Sequence, residues 1–149
     1  MGLPFQVRIP FVEQLGFELL RFDGGCGEIA VDLKDELTNS WGVAHGGLLM
    51  TLADAAMAHA ARSPAQPGGT PFPGVVTIEM KTSFLRPGQG RLVAHGALLQ
   101  RTATMAFTEC RVVDAGGGLV CHATGTFKYL HGLPTGPDGR RIRRLDASD

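Results

Sequence analysis

One carboxylate stands in unexpected company. From Leu48 to Ala61 nearly every residue is Leu, Met or Ala, yet Asp54 sits in the middle of the run. A carboxylate in such surroundings costs several kcal/mol unless it is hydrogen-bonded, paired or left at a wet cleft. Kept ionised beside a substrate, it either attacks a carbonyl directly or takes a proton from water, and the residues alone leave both routes open. Nine residues earlier stands His45, followed by Gly46 and Gly47. Two residues without side chains at a helix start expose backbone N–H groups at the positive end of the dipole, which suits an anion or a developing oxyanion. The spacing constrains how the two features combine. At about 1.5 Å of rise per residue, Gly46 and Asp54 lie roughly 12 Å apart along one helix axis, so they cannot act on the same carbonyl. If both act on one carbonyl, an antiparallel helix from a second copy must bring its Asp54 to this Gly46, and a symmetric dimer then holds two identical sites.

The elements that position these residues follow from periodicity. Strong helix formers after Gly47 predict a helix over about Gly46 to Arg62, apolar all round and therefore buried. Ahead of it, residues 9–15 read as a short helix with Pro10 in its opening turn and Gly16 as its stop. Phe17 onward reads as a hairpin turned at Gly24-Gly25, with Ile29, Val31 and Leu33 on one face. The segment 63–74 carries Pro64, Pro67, Pro71 and Pro73 and reads as a loop or lid. Beyond it the chain is strand after strand. Val76, Ile78, Met80 and Phe84 are expected on one face of the first, Thr77, Glu79, Lys81 and Ser83 on the other, with Pro87-Gly88 ending it. Further strands are expected at 92–99, 104–113 and 119–130, the last alternating Cys121, Ala123, Gly125 and Phe127 against His122, Thr124, Thr126 and Lys128. The result is an α+β domain, 1–130, with one long helix wrapped by a mainly antiparallel sheet of five to six strands. The outer sheet face, carrying Thr77, Glu79, Lys81, His122 and Thr124, is a possible meeting place with another protomer. Residues 131–149 are Pro/Gly-rich and read as a flexible tail; Arg140, Arg141, Arg143 and Arg144 are either solvated or a phosphate contact.

Composition excludes several classes. Lys+Arg and Asp+Glu balance at 14 each, so nothing points to nucleic acid or an anionic membrane surface. Cys26, Cys110 and Cys121 are odd in number and widely spaced, which argues against a disulfide framework and a zinc site and for a reducing cytoplasmic compartment. The N-terminus lacks a signal-peptide core, and the apolar run is too short and interrupted to span a bilayer. No metal is expected: His59 lies five residues beyond Asp54 and points about 140° away around a helix.

Asn39, His45-Gly46-Gly47, then Leu52-Ala53-Asp54, together with Gly74-Val75-Val76-Thr77, Phe84-Leu85-Arg86-Pro87 and Ala106-Phe107-Thr108, resemble the PaaI-type hotdog-fold acyl-CoA thioesterases over roughly residues 17–130. The resemblance implies a hotdog fold that dimerises and often forms tetramers, hydrolysing acyl-CoA at the dimer interface with no cofactor, coenzyme A being part of the substrate. Position by position it implies Gly46 as the N–H that polarises the thioester carbonyl and Asp54 as nucleophile or general base. Asn39 and Thr77 match positions that orient the water and the carboxylate, and His45 the residue that shapes the oxyanion end. Trp41 departs from the pattern, where a smaller side chain leaves more room; with Gly47 it is expected to line the substrate site, and Arg86 to meet coenzyme A phosphates or solvent. By family resemblance aryl acyl groups are favoured. The alternative is a non-catalytic acyl-CoA-binding hotdog module.

Overall fold

In the computed structural model, which describes residues 2–130, 136–140 and 142–149, the elements run α1 (Pro10–Gln14), β1 (Glu18–Asp23), β2 (Cys26–Asp32), a 3-10 turn (Asp35–Leu37), α2 (Gly46–Arg62), β3 (Val75–Phe84), β4 (Arg91–Arg101), β5 (Met105–Val113) and β6 (Leu119–Tyr129). Arg141, and the segment 131–135 where the tail was expected to begin, lie outside the described residues. Strand order is β1-β2-β4-β5-β6-β3, every neighbouring pair antiparallel. The chain leaves β2 on one side of the sheet, crosses its face as α2 and resumes as β3 at the far edge. Six strands wrapping one long helix form a hotdog fold, with the expected hairpin, long helix and four later strands all in place. Among the described residues no helix is long and apolar enough to cross a membrane.

The core lies between α2 and the sheet: Leu52, Ala53, Ala56 and Met57 meet Ile29, Leu92, Val112 and Phe127. Fully burying a side chain such as Leu52 or Met57 is worth about 1.5–3 kcal/mol, and with Leu48 and Leu49 also buried the sum holds the helix down despite the misplaced carboxylate. Close approach depends on two facing glycines. Gly27 of β2 pairs with Gly96 of β4, and a Cβ on either would stand only 2.4 or 2.5 Å from the Ala56 carbonyl oxygen. These bare positions let the helix backbone rest on the sheet.

Two expectations are corrected. First, α2 is not buried all round. Gly47, Met50, Thr51, Asp54 and Ala58, spaced three or four residues apart, form an open stripe, because one protomer's sheet covers only part of the helix circumference. Apolar residue types alone could not distinguish the sheet-facing side from the open one. Second, Thr77 does not lie on the outer face. The β3–β6 pairing shifts between Thr77 and Glu79, leaving Ile78 as an extra residue in a β-bulge. Thr77 pairs with buried Phe127 and so shares the helix-facing side with Met80, while Glu79 and Lys81 stay outward. There Glu79 accepts a hydrogen bond from the Thr126 hydroxyl at 2.6 Å, and His122 approaches Glu109 at 3.5 Å.

The two sheet edges differ. The β1 edge carries a bridge from Leu3, whose N–H donates to the Leu19 carbonyl at 2.6 Å. The β3 edge runs ten residues and exposes Val76 and Ile78. A long apolar edge of this kind is a template for pairing with another strand.

Candidate active site

Asp54 projects from the middle of α2 toward β3, where the bulge has turned Thr77 inward. The Thr77 hydroxyl donates to Asp54 Oδ1 at 2.6 Å, a length typical of a charge-assisted bond. No other hydrogen bond reaches this carboxylate among the described residues. Burial raises the Asp54 pKa above the ordinary carboxylate range, and the Thr77 bond partly opposes the rise. Such a group stays within reach of ionisation yet is a stronger base than a solvated aspartate.

The free side of Asp54 faces a groove of about 380 Å³, walled by Met50, Thr51 and Ala58 of α2, Met80 of β3, and Phe11 and Ile9 from the N-terminal segment. The α1 wall was not recognised from sequence as part of the site; its signal was the cluster Phe11, Val12 and Leu15 in a short helix with Phe11 left exposed. A second groove of about 370 Å³ lies around His45 and Gly47 and shares Phe11 and Thr51 with the first. A cleft thus follows the open stripe of α2 from its N-terminus past Asp54.

At that N-terminus His45 is the cap. Its backbone is extended (φ −62°, ψ 138°), and its Nδ1 accepts from the Gly47 N–H at 2.8 Å. As an acceptor, Nδ1 carries no proton, which places the ring proton on Nε2. The cap uses the Gly47 donor and leaves the Gly46 N–H without an acceptor among the described residues. The carboxylate and this free donor stand eight residues apart on one helix, roughly 12 Å along the axis.

Asn39 is not brought to Asp54 within the protomer. Its Oδ1 accepts from the Trp41 and Val43 N–H groups at 2.9 and 3.4 Å, so it shapes the loop that delivers the chain into α2. Trp41, on that loop, is 86% exposed and lines neither groove. Arg86 is also exposed and lies over the β5–β6 turn, where a Cβ on Gly118 would meet its guanidinium. His59 is a core histidine: its Nδ1 lies 2.7 Å from the Ala55 carbonyl oxygen, Phe5 and Phe22 pack edge-on to its ring, and burial lowers its pKa to about 4. The free thiols Cys110 and Cys121 are buried, which raises both pKa values and removes them from nucleophilic roles.

The family model of the thioesterase superfamily matches residues 42–121, more than half of the chain. Among relatives, a Saccharolobus solfataricus protein is 28% identical over 117 residues, covering 78% of this chain and 80% of its own. A Pseudomonas aeruginosa protein is 33% identical over 105 residues, covering 66% and 72%. Both bear provisional esterase names. Among solved structures, a variant of the Thermus thermophilus phenylacetic acid degradation protein PaaI superposes with TM-score 0.70 at 29% identity, covering 82% of this chain and all of that one. The E. coli PaaI protein superposes with TM-score 0.75 at 22% identity, covering 84% and 87%, a likeness of fold. The matched span runs from the loop ahead of α2 into β6 and includes both Gly46 and Asp54, and the chain belongs to the thioesterase superfamily as a PaaI-type hotdog protein.

Proposed function

We propose that the protein hydrolyses an acyl-CoA thioester to the free acid and coenzyme A, at a site that two copies build together. The observation that carries this reading is Asp54 itself: a half-buried carboxylate, held by one hydrogen bond from Thr77, with its other side open to an apolar cleft. The Gly46 N–H supplies the complementary half, a donor with no other use. A fixed donor aimed at the developing oxyanion is worth roughly 3–4 kcal/mol. Asp54 then adds to the carbonyl, giving a mixed anhydride that water cleaves, or takes a proton from an attacking water; both routes expel the coenzyme A thiolate. These steps use the chain's own groups and water, and no cofactor enters.

The separation of Gly46 from Asp54 supports assembly, since a carbonyl at one cannot be reached by the other on the same helix. The open β3 edge and the open α2 stripe face the same side, joined by the Thr77–Asp54 bond, so edge-to-edge pairing of two copies sets their helices antiparallel. In this reading His45 fixes the oxyanion end, Thr77 orients the carboxylate, and Asn39 holds the loop carrying Trp41 toward the partner's cleft. Gly47 leaves room for substrate at the helix start, Arg86 is available to coenzyme A at the rim, and further pairing of dimers through the outer sheet face gives a tetramer. A cytoplasmic setting supplies the substrate, and aryl acyl groups are the favoured class.

The test is thiol release from a panel of aryl, short and medium-chain acyl-CoA thioesters. Hydrolysis of at least one, and loss of nearly all of it in Asp54→Asn with the oligomer intact, is the expected result. Tight binding without turnover across the panel would instead establish a binding module, and full activity in the variant would remove Asp54 from the mechanism.

A further inference from the structure

Beyond the Asp54 groove, at the C-terminal end of α2, a second chamber of about 280 Å³ shares Ile9, Ala58 and His59 with it. Three arginines reach its walls from three parts of the chain: Arg8 from the N-terminal segment, Arg62 from the last turn of α2, and Arg144 from the tail folded back over Gly74. No Asp or Glu lines it among the described residues. His59 adds no charge there, because burial keeps its ring neutral.

Arg62 is the unusual member. It is only 7% exposed, its Nε is buried with no hydrogen-bond partner, and no carboxylate pairs with it among the described residues. The π face of Phe22, 5.9 Å from its guanidinium carbon, is its visible compensation besides the negative end of the α2 dipole. Arg144 also forms no ion pair among the described residues, and burial together with its charge lowers the Arg62 pKa to about 10. Arg8, by contrast, is occupied by Glu13 at 3.5 Å and by the Asp149 carbonyl at 3.1 Å. An unpaired guanidinium buried as deeply as that of Arg62 is costly unless an anion joins it, and the unpaired, exposed guanidinium of Arg144 lines the same chamber among the described residues.

Resting on the thioesterase reading, we infer that this chamber binds an anionic group of the substrate, held by Arg62 and Arg144 one segment of α2 beyond the carboxylate that does the chemistry. Arg62 stands eight residues from Asp54, about 12 Å along the axis. A guanidinium fork matches a carboxylate or a phosphate equally well. The anion is therefore either a carboxylate at the far end of the acyl chain or a phosphate of coenzyme A. The chamber and the Asp54 groove are neighbours along α2, sharing Ile9, Ala58 and His59 as a wall.

Two measurements on the full-length protein decide it. In calorimetric titrations, inorganic pyrophosphate or adipate binds the wild type, and binding weakens at least about tenfold in Arg62→Met and in Arg144→Ala, the loss of one charge-assisted contact. Arg144 is exposed, so its variant keeps the fold if Arg62→Met does not. Binding of neither anion, or equal binding by all three proteins, overturns the inference whether or not any thioester is cleaved. Kinetics then assign the source. A carboxylate subsite makes suberyl-CoA a better substrate than octanoyl-CoA by at least about tenfold in kcat/KM, a preference that Arg62→Met removes. A phosphate subsite instead favours octanoyl-CoA over octanoyl-N-acetylcysteamine, and Arg62→Met narrows that gap. Turnover of all three substrates with ratios unchanged by the substitution contradicts the inference while leaving the thioesterase reading standing. Absence of any turnover contradicts the thioesterase reading, and the titrations still decide the anion site.

Discussion

Replacing Gly46 with proline removes one hydrogen atom from the proposed oxyanion hole and leaves nearly everything else in place. Gly46 is the first residue of α2, where proline is well tolerated because that N–H has no intrahelical partner. Proline also demands an extended conformation of the preceding residue, and His45 already adopts one at φ −62° and ψ 138°. A Cβ at this position meets only Phe84 ring carbons at 3.6 Å, an ordinary contact. The expected change in stability is therefore within about 0.5 kcal/mol. Catalysis should suffer far more: losing one oxyanion donor costs roughly 2.7–4 kcal/mol, or about 10²–10³ in kcat. Gly46→Ala is the matched control, since it adds the same first carbon but keeps the N–H. Thiol-release kinetics beside thermal melts of both variants give the comparison. Collapse in the proline variant with activity retained in the alanine variant supports the assignment. Equal activity in the two proteins, whether high or low, refutes it, because the N–H would then be irrelevant or the loss purely steric.

Thr77→Val keeps the shape of the side chain but deletes the 2.6 Å bond to Asp54. That bond favours the ionised form, so its loss should raise the proton affinity of Asp54 further. The acidic limb of kcat/KM against pH should move to higher pH; a uniform loss at all pH values would show that Thr77 does something other than hold the carboxylate ionised. His59 makes a separate prediction about stability. Its folded pKa of about 4 lies below the unfolded value of 6.5, so the unfolded chain binds the extra proton. Its contribution is constant above about pH 6.5 and is lost as pH falls toward 4, by at most about 3 kcal/mol. Urea unfolding between pH 7 and pH 4.5 should show a smaller loss in His59→Phe than in the wild type, and equal losses would contradict it.

The parts of the fold that could be read in advance are those where one residue type answers one environment. The helix formers between two glycines and Arg62 placed α2 at its observed bounds, and the alternation of Cys121, Ala123, Gly125 and Phe127 placed the inner face of β6. Asp54 was legible because a carboxylate in an apolar helix is expensive. Thr77 entered as a candidate site residue only through the family resemblance, and its face could not be read, since a bulge at Ile78 reverses the alternation without any marker in residue type. The open stripe of α2 escaped for a related reason: Met50 and Ala58 are as apolar as Leu52 and Met57, and periodicity cannot say which side a sheet will cover. Gly27 and Gly96 carried a faint signal as glycines inside strand patterns, but their pairing under Ala56 depends on register across distant segments. The surroundings of Arg62 could not be read in advance, because the tail and the N-terminal segment meet at the end of α2 only in the folded chain.

The central claim is that each active site takes its carboxylate from one copy and its oxyanion donor from another. Coexpression of Asp54→Asn with Gly46→Pro tests it most directly, since each variant alone lacks one half of every site. Random pairing makes half the dimers mixed, and each mixed dimer regains one intact site, so the mixture should recover about a quarter of wild-type thioesterase activity. Activity in the mixture no higher than in the two parent variants, with mixed dimers shown to form, would mean that both groups do not serve one carbonyl across the interface.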